Sequence, residues 1–198
     1  FPPPESLEPM IIIEGEASFP LYYTGENGVY HNHDIILEEG KTYRLEVTYN
    51  NKQVSADTYI PERPYNLLLS DTLIQRDKII DFTDLQNQEI PDPIELYWDG
   101  EDGAYYFVNV QNIENDPELI NELFAGGARP PRPDILTEPS INNFYTIDAF
   151  RDITHYGTYE VTVFRVNPEY VALYEDNTSG TGSLNEIRTN VQNGFGIF

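Results

Sequence analysis

An all-β fold of two sandwich domains is the expectation for this chain, and three features carry it. Apolar and polar residues alternate with a period of two over several short runs. Turn residues (Gly, Asn and Pro) punctuate those runs at short intervals. A glycine and threonine followed by tyrosine opens an alternating run once in each half, at 40–49 and at 157–166. The expected division is a small N-terminal sandwich over 1–62 and a larger one over 63–198, the second carrying two short helices.

The strands follow in order. "MIIIEGEAS" and "HNHDIILEEG" read as strands on either side of the turn "YTGENG". In "GKTYRLEVTYNNKQVSADTYIP", Tyr43, Leu45, Val47 and Tyr49 alternate with Arg44, Glu46 and Thr48, the pattern of a strand with one buried face. Asn50-Asn51 tolerates the positive φ of a type I′ turn, so the return strand begins at once and carries Val54, Ala56, Thr58 and Ile60. Pro61 and Pro64 stop it, because proline cannot donate to a ladder. "PERPYNLLLSD" then reads as a stiff linker between the domains.

In the second half, "PIELYWDGEDGAYYFVNVQNI" is two strands around an acidic turn, with Trp98 on the first. "HYGTYEVTVFRVN" turns Tyr159, Val161 and Val163 inward. A tyrosine at such a corner, hydrogen-bonded back to the preceding loop, is a feature of immunoglobulin-like and fibronectin-type-III-like sandwiches, and Tyr43 and Tyr159 are its candidates. "NDPELINELFAGG" predicts a helix capped by Asp116, with Pro117 at its first position and a stripe of Leu119, Ile120, Leu123 and Phe124. "VNPEYVALYEDN" predicts another, with Asn167 capping Pro168. The closing "NEIRTNVQNGFGIF" is expected to be the last strand of the second sandwich, with Val191, Phe195 and Ile197 as its apolar contacts and Gly194 and Gly196 as backbone devices.

Composition narrows the function. The chain has 198 residues with 34 acids against 11 Lys and Arg, a formal charge of −23. That balance disfavours nucleic acid and anionic membrane surfaces, which both require a basic patch. With 13% aromatic residues the chain has the means to fold. No cysteine is present, which excludes a disulfide scaffold, a thiolate nucleophile and cysteine-ligated metal. No apolar run approaches the roughly 20 residues of a membrane helix. The proline-rich opening "FPPPESLEP" is what an export signal and its spacer leave behind when cut away.

Few residues suggest chemistry. His31 and His33 would share a strand face, and Asp34 or His155 would complete a zinc site, but so short a match is met by chance and a polar strand end is the simpler reading. Asp99, Glu101 and Asp102 in "DGEDG" offer carboxylates to a hard cation without the spacing of a calcium loop, and an acidic turn explains them. No nucleophile elbow, P-loop or dinucleotide fingerprint occurs, and no pair among 34 acids stands out for hydrolysis. The chain is therefore read as no enzyme and as needing no cofactor. Tyrosines, among them Tyr22, Tyr23, Tyr65, Tyr105 and Tyr145, are low-entropy binding anchors when exposed. The stiff loop "GGARPPRPD" holds two of the few arginines. Tyr105, Arg129 and Arg132 are the candidate partner-binding residues.

The C-terminal half carries a resemblance. "TYEVTVFRVNPEYVALYEDN…LNEIRTNVQNGFGIF" resembles the end of a Bacteroidota surface-lipoprotein family, domain of unknown function four-two-four-nine, whose closing signature matches Asn190, Asn193, Gly194, Gly196, Ile197 and Phe198. "EGKTYRLEVTYNNKQVSADTYIP" is similar to the family's middle, so the likeness covers about 38–64 and 94–198. It departs from the family in lacking the lipid-bearing cysteine, in a short stretch before Gly40 and in stopping at Phe198. The resemblance implies export, anchorage to the outer membrane by a lipid absent from this chain, and work beside a TonB-dependent transporter. The expected function is a non-catalytic accessory binding protein of nutrient uptake, with a glycan, peptide or protein ligand. An adhesin or fimbria-like assembly component is the alternative, and a hydrolase ranks last.

Overall fold

The structure, a computed structural model, describes residues 7–13, 18–26, 28–126, 131–172, 189–194, 196 and 198. Strands dominate it, and the chain is all-β with short helical segments. It divides into two compact units, one of Phe1–Glu62 with Asn167–Phe198 and the other of Arg63–Val166.

In the first unit, β1 (Met10–Ile13), β2 (Ser18–Pro20), β5 (Thr42–Tyr49), β6 (Lys52–Tyr59) and β13 (Val191–Gln192) form one sheet in the order β13-β6-β5-β1-β2. The expected β5–β6 hairpin is present, and its turn residues Asn50 and Asn51 take φ of 49° and 60°. Alternation along β1 buries Ile11 and Ile13, which pack with Tyr43, while Phe19, Leu21, Ile35, Leu45, Ile60 and Phe198 close over them. Tyr43 behaves as a corner tyrosine: its hydroxyl accepts from the Glu38 amide at 2.7 Å. The strand expected over "HNHDIILEEG" shrinks to β4 (Tyr30–His31), paired with β3 (Tyr22–Tyr23). The Asn32 side chain explains this. It accepts from the Asp34 amide at 2.8 Å and donates to the Pro20 carbonyl at 2.7 Å, so the backbone turns where a strand would have continued.

The tail corrects the expected assignment. Val191 stands opposite Ala56 in an antiparallel pairing with β6, so the C-terminal strand completes the first sheet rather than the second sandwich. Asn190 ties it down by donating to the Asp57 carbonyl at 3.1 Å. At Gly194 a side chain would meet Val191 at 2.9 Å and Val54 at 3.1 Å, which is the backbone role expected for this glycine. Phe195 and Ile197 lie outside the described residues.

The second unit contains β7 (Tyr65–Leu69), β8 (Ile94–Asp99), β9 (Tyr105–Asn112), β10 (Ile135–Leu136), β11 (Phe144–Ile147) and β12 (Tyr159–Val166), in two sheets ordered β11-β8-β7 and β10-β9-β12. Ile94, Leu96 and Trp98 from β8 meet Tyr106, Val108 and Val110 from β9 in one buried cluster with Ile147 and Val163, so the two sheets share a core as a sandwich does. Trp98 lies edge-on to Tyr106, with ring centroids 5.7 Å apart. The second corner tyrosine also holds: the Tyr159 hydroxyl donates to the His155 carbonyl at 2.9 Å and accepts from its amide at 3.3 Å.

Three local expectations give way here. "PERPYNLLLSD" is not only a linker, because it contains the edge strand β7; Asn66, at φ 52°, sits at its irregular register and donates to Asp99 at 2.8 Å. A short helix α1 (Phe82–Asn87) appears where none was foreseen, started by a capping box between Asp81 and Asp84. The helix expected from Asp116 does not form. Its backbone is spent on pairing: Tyr156 donates to the Glu118 carbonyl at 2.7 Å, Ile120 to Thr154 at 2.9 Å and Ile79 to Ile120 at 2.9 Å. Only a single 3₁₀ turn, Glu122–Phe124, remains, capped by Asn121. The other expected helix does begin, over 168–172, and the Asn167 carbonyl accepts from the Tyr170 amide at 3.0 Å.

Candidate functional site

The extended segment 118–121 that replaces the expected helix forms one wall of a cavity of about 560 Å³ in the second unit. A second wall is the turn after β11. There Asp148 accepts from the Phe150 and Arg151 amides at 3.0 Å each, while Asp152 accepts from the Asp148 amide at 2.9 Å. This clasp turns the carbonyls of Ala149, Phe150 and Ile153 toward Arg76, whose Nη1 donates to them at 3.1, 3.1 and 3.3 Å. Its guanidinium lies over the Phe150 ring, 4.6 Å from the centroid.

Arg76 is thereby fixed in place, and the groups that accept its hydrogen bonds are neutral. Gln88 takes a further hydrogen bond at 3.4 Å, and the buried Nε has no acceptor. Burial holds its pKa below the ordinary guanidinium value, with Tyr156 and Asp148 opposing that shift. It remains charged, since a guanidinium stays protonated under any ordinary condition.

Two more arginines line the same cavity. Arg132 and Arg151 are exposed at its mouth, and Leu119, Phe124, Ile135, Phe150 and Ile153 supply an apolar lining. Three of the chain's 11 basic residues thus gather at one place in a protein of charge −23. Among the described residues, no ion pair is formed by Arg76, Arg132 or Arg151. The one acid of the lining, Asp152, is engaged by the Asp148 amide. Arg132 is anchored through its backbone, because the Thr154 hydroxyl donates to its carbonyl at 2.9 Å.

That last bond also settles a tautomer. The Thr154 hydroxyl has given its only hydrogen to Arg132, so it accepts from His155 Nδ1, 2.8 Å away. Burial lowers the pKa of His155, and the nearby Asp134 carboxylate opposes the shift. Neutral His155 carries its hydrogen on Nδ1.

The sequence candidates fall in different places. Arg132 is in the cavity, and Arg129 lies outside the described residues. Tyr105 is half-buried opposite Val166 at the start of β9, whereas Asn112 at the far end of that strand bonds to Asp134 beside the arginine loop. At 3.4 Å per residue the two ends are roughly 24 Å apart, so Tyr105 belongs to another surface. His31 and His33 approach with ring centroids 4.3 Å apart in the first unit, while His155 belongs to the second. Among the described residues no group of three or more His, Cys, Asp or Glu is placed to hold a metal ion. In the acidic turn, Asp99 accepts from Asn66 and Glu101 pairs with Arg165. Arg76 and Arg151 escaped the sequence reading, although the scarcity of basic residues was a signal that each deserved a place in it.

The family described as Domain of unknown function (DUF4249) matches residues 9–198. The chain belongs to this family. The match extends the likeness read on 38–64 and 94–198 to the N-terminal strands and to the segment holding β7, Arg76 and α1, so the whole cavity lies within the DUF4249 region. No curated protein and no solved structure matches the chain.

Proposed function

We propose that this protein is a non-catalytic binding protein of the cell surface, carried on the outer membrane by a lipid anchor and serving as an accessory to TonB-dependent nutrient uptake. The observation that supports binding is the arginine-lined cavity. It combines fixed positive charge, spare donors and an apolar lining, and its volume falls within the roughly 300–1,000 Å³ of small-molecule sites. Those are means of recognition. The reading of place and partner rests on the family resemblance described above.

A second reading, an adhesin or assembly subunit, draws on a different observation. β7 is the edge of its sheet, and Tyr65, Leu67, Leu68 and Leu69 along it are all exposed. An uncovered edge of this kind is a template for strand addition. One experiment separates the two. A lipid-anchored, tagged form is expressed in its own bacterium, the outer membrane is solubilised gently and the co-purifying proteins are identified. A stoichiometric TonB-dependent transporter supports the uptake role; recovery as ladders of the protein itself transfers the weight to assembly.

A further inference from the structure

We infer that the cavity around Arg76 takes a small monocarboxylate with an apolar body, an inference that rests on the binding reading above. Three arginines line a single open cavity, and the described residues offer them no ion pair. A guanidinium presents a planar fork of donors that matches a carboxylate with two parallel bonds. Arg132 and Arg151, exposed at the mouth, are free to close on such a group. Arg76 cannot swing out, because three carbonyls, Gln88 and the Phe150 ring hold it. It supplies a positive charge that is already desolvated, where an incoming anion gains most.

The rest of the lining selects the body of the ligand. Leu119, Phe124, Ile135, Phe150 and Ile153 offer carbon surface and few polar partners. Asn121, the amide in the wall, has its side-chain oxygen committed to the Leu123 amide at 3.1 Å. Inorganic phosphate would leave this apolar surface unused. A sugar would set many of its hydroxyls against that carbon surface, and each one buried there without a partner counts against binding. A carboxylate with an aliphatic or aromatic tail satisfies both parts of the cavity at once.

The test is calorimetry on the full chain with four probes: octanoate, its neutral isostere octanamide, inorganic phosphate and a short neutral oligosaccharide. The variants are R132Q with R151Q, and F124A, all at exposed positions whose replacement leaves the core intact. Octanoate is expected to bind more tightly than the other three. The paired arginine replacement should weaken octanoate by at least about tenfold, the scale of one lost charge-assisted hydrogen bond, and leave octanamide unchanged. F124A should weaken both. Equal binding of octanoate and octanamide, unaffected by the arginine replacements but weakened by F124A, would overturn the carboxylate and leave the binding cavity standing. Phosphate or oligosaccharide as the tighter ligand would likewise overturn the class of ligand alone. If none of the four binds, the cavity reading falls together with this inference.

Discussion

Replacing Asn190 by alanine probes where the C-terminal tail belongs. Its Nδ2 donates to the Asp57 carbonyl at 3.1 Å and to the Phe198 carbonyl at 3.0 Å, and its Oδ1 accepts from the Phe198 amide at 3.0 Å. One side chain thus holds β13 against β6 and draws the last residue onto the core of the first unit. A net hydrogen bond contributes roughly 0.5–1.5 kcal/mol, and water replaces part of each at this half-exposed site, so Asn190→Ala is expected to cost about 2 kcal/mol. For a domain of roughly 60–100 residues that lowers the thermal midpoint by about 8–16 °C. The single tryptophan, Trp98, is buried in the second unit and makes the assay selective. Its fluorescence follows that unit alone, while far-ultraviolet circular dichroism follows the strands of both. The account requires a dichroism transition that moves down and a Trp98 midpoint that stays within about 2 °C. Equal displacement of the two midpoints would refute the assignment and return the tail to the second sandwich.

Three further perturbations follow from the second unit, each read by the urea midpoint of Trp98 fluorescence. Tyr159→Phe removes a hydroxyl that both donates to and accepts from His155, and the corner it holds should lose roughly 1–2 kcal/mol; a loss below about 0.3 kcal/mol would show that the corner bond is dispensable. Gly100→Ala drives a methyl group into the hydroxyl of buried Tyr106, and the overpacking is expected to destabilise by about 1–3 kcal/mol, whereas a neutral effect would show that the turn yields freely. His155 has a folded pKa below its ordinary 6.5, so its neutral form stabilises the fold fully above that value and the contribution is lost as the pH falls through the lowered pKa. Stability should therefore decline as the pH falls below 6.5, and His155→Gln should flatten that decline; an unchanged slope would remove His155 as its cause.

Which parts of this fold were legible in the sequence depends on how far apart the deciding residues lie. The β5–β6 hairpin was readable because its signals are local, a period of two and an Asn-Asn turn at positive φ. Both corner tyrosines were readable for the same reason, since the hydroxyl bonds only four or five residues back. β7 was hidden by the prolines before it and by three consecutive leucines, which do not alternate. Leu119, Ile120, Leu123 and Phe124 have genuine helical spacing, yet the backbone there pairs with Ile79 and with 154–156. Pairing across that sequence distance overrides a local preference worth tenths of a kcal/mol per residue. The tail was misplaced because its partner strand is more than a hundred residues away. At the site, Arg132 stood out in a stiff loop, but Arg76 sits in an irregular segment and Arg151 in a turn, neither with any motif, and only folding brings the three to one cavity.

Amide chemical-shift mapping by NMR, with the chain titrated by octanoate, tests the central claim most directly because it reports location as well as binding. The account predicts perturbations concentrated at Leu119–Phe124, Arg132–Ile135 and Phe150–Thr154, with the first unit silent. Perturbations centred instead on the exposed row Leu68, Tyr97 and Phe144, or spread evenly over both units, would contradict it.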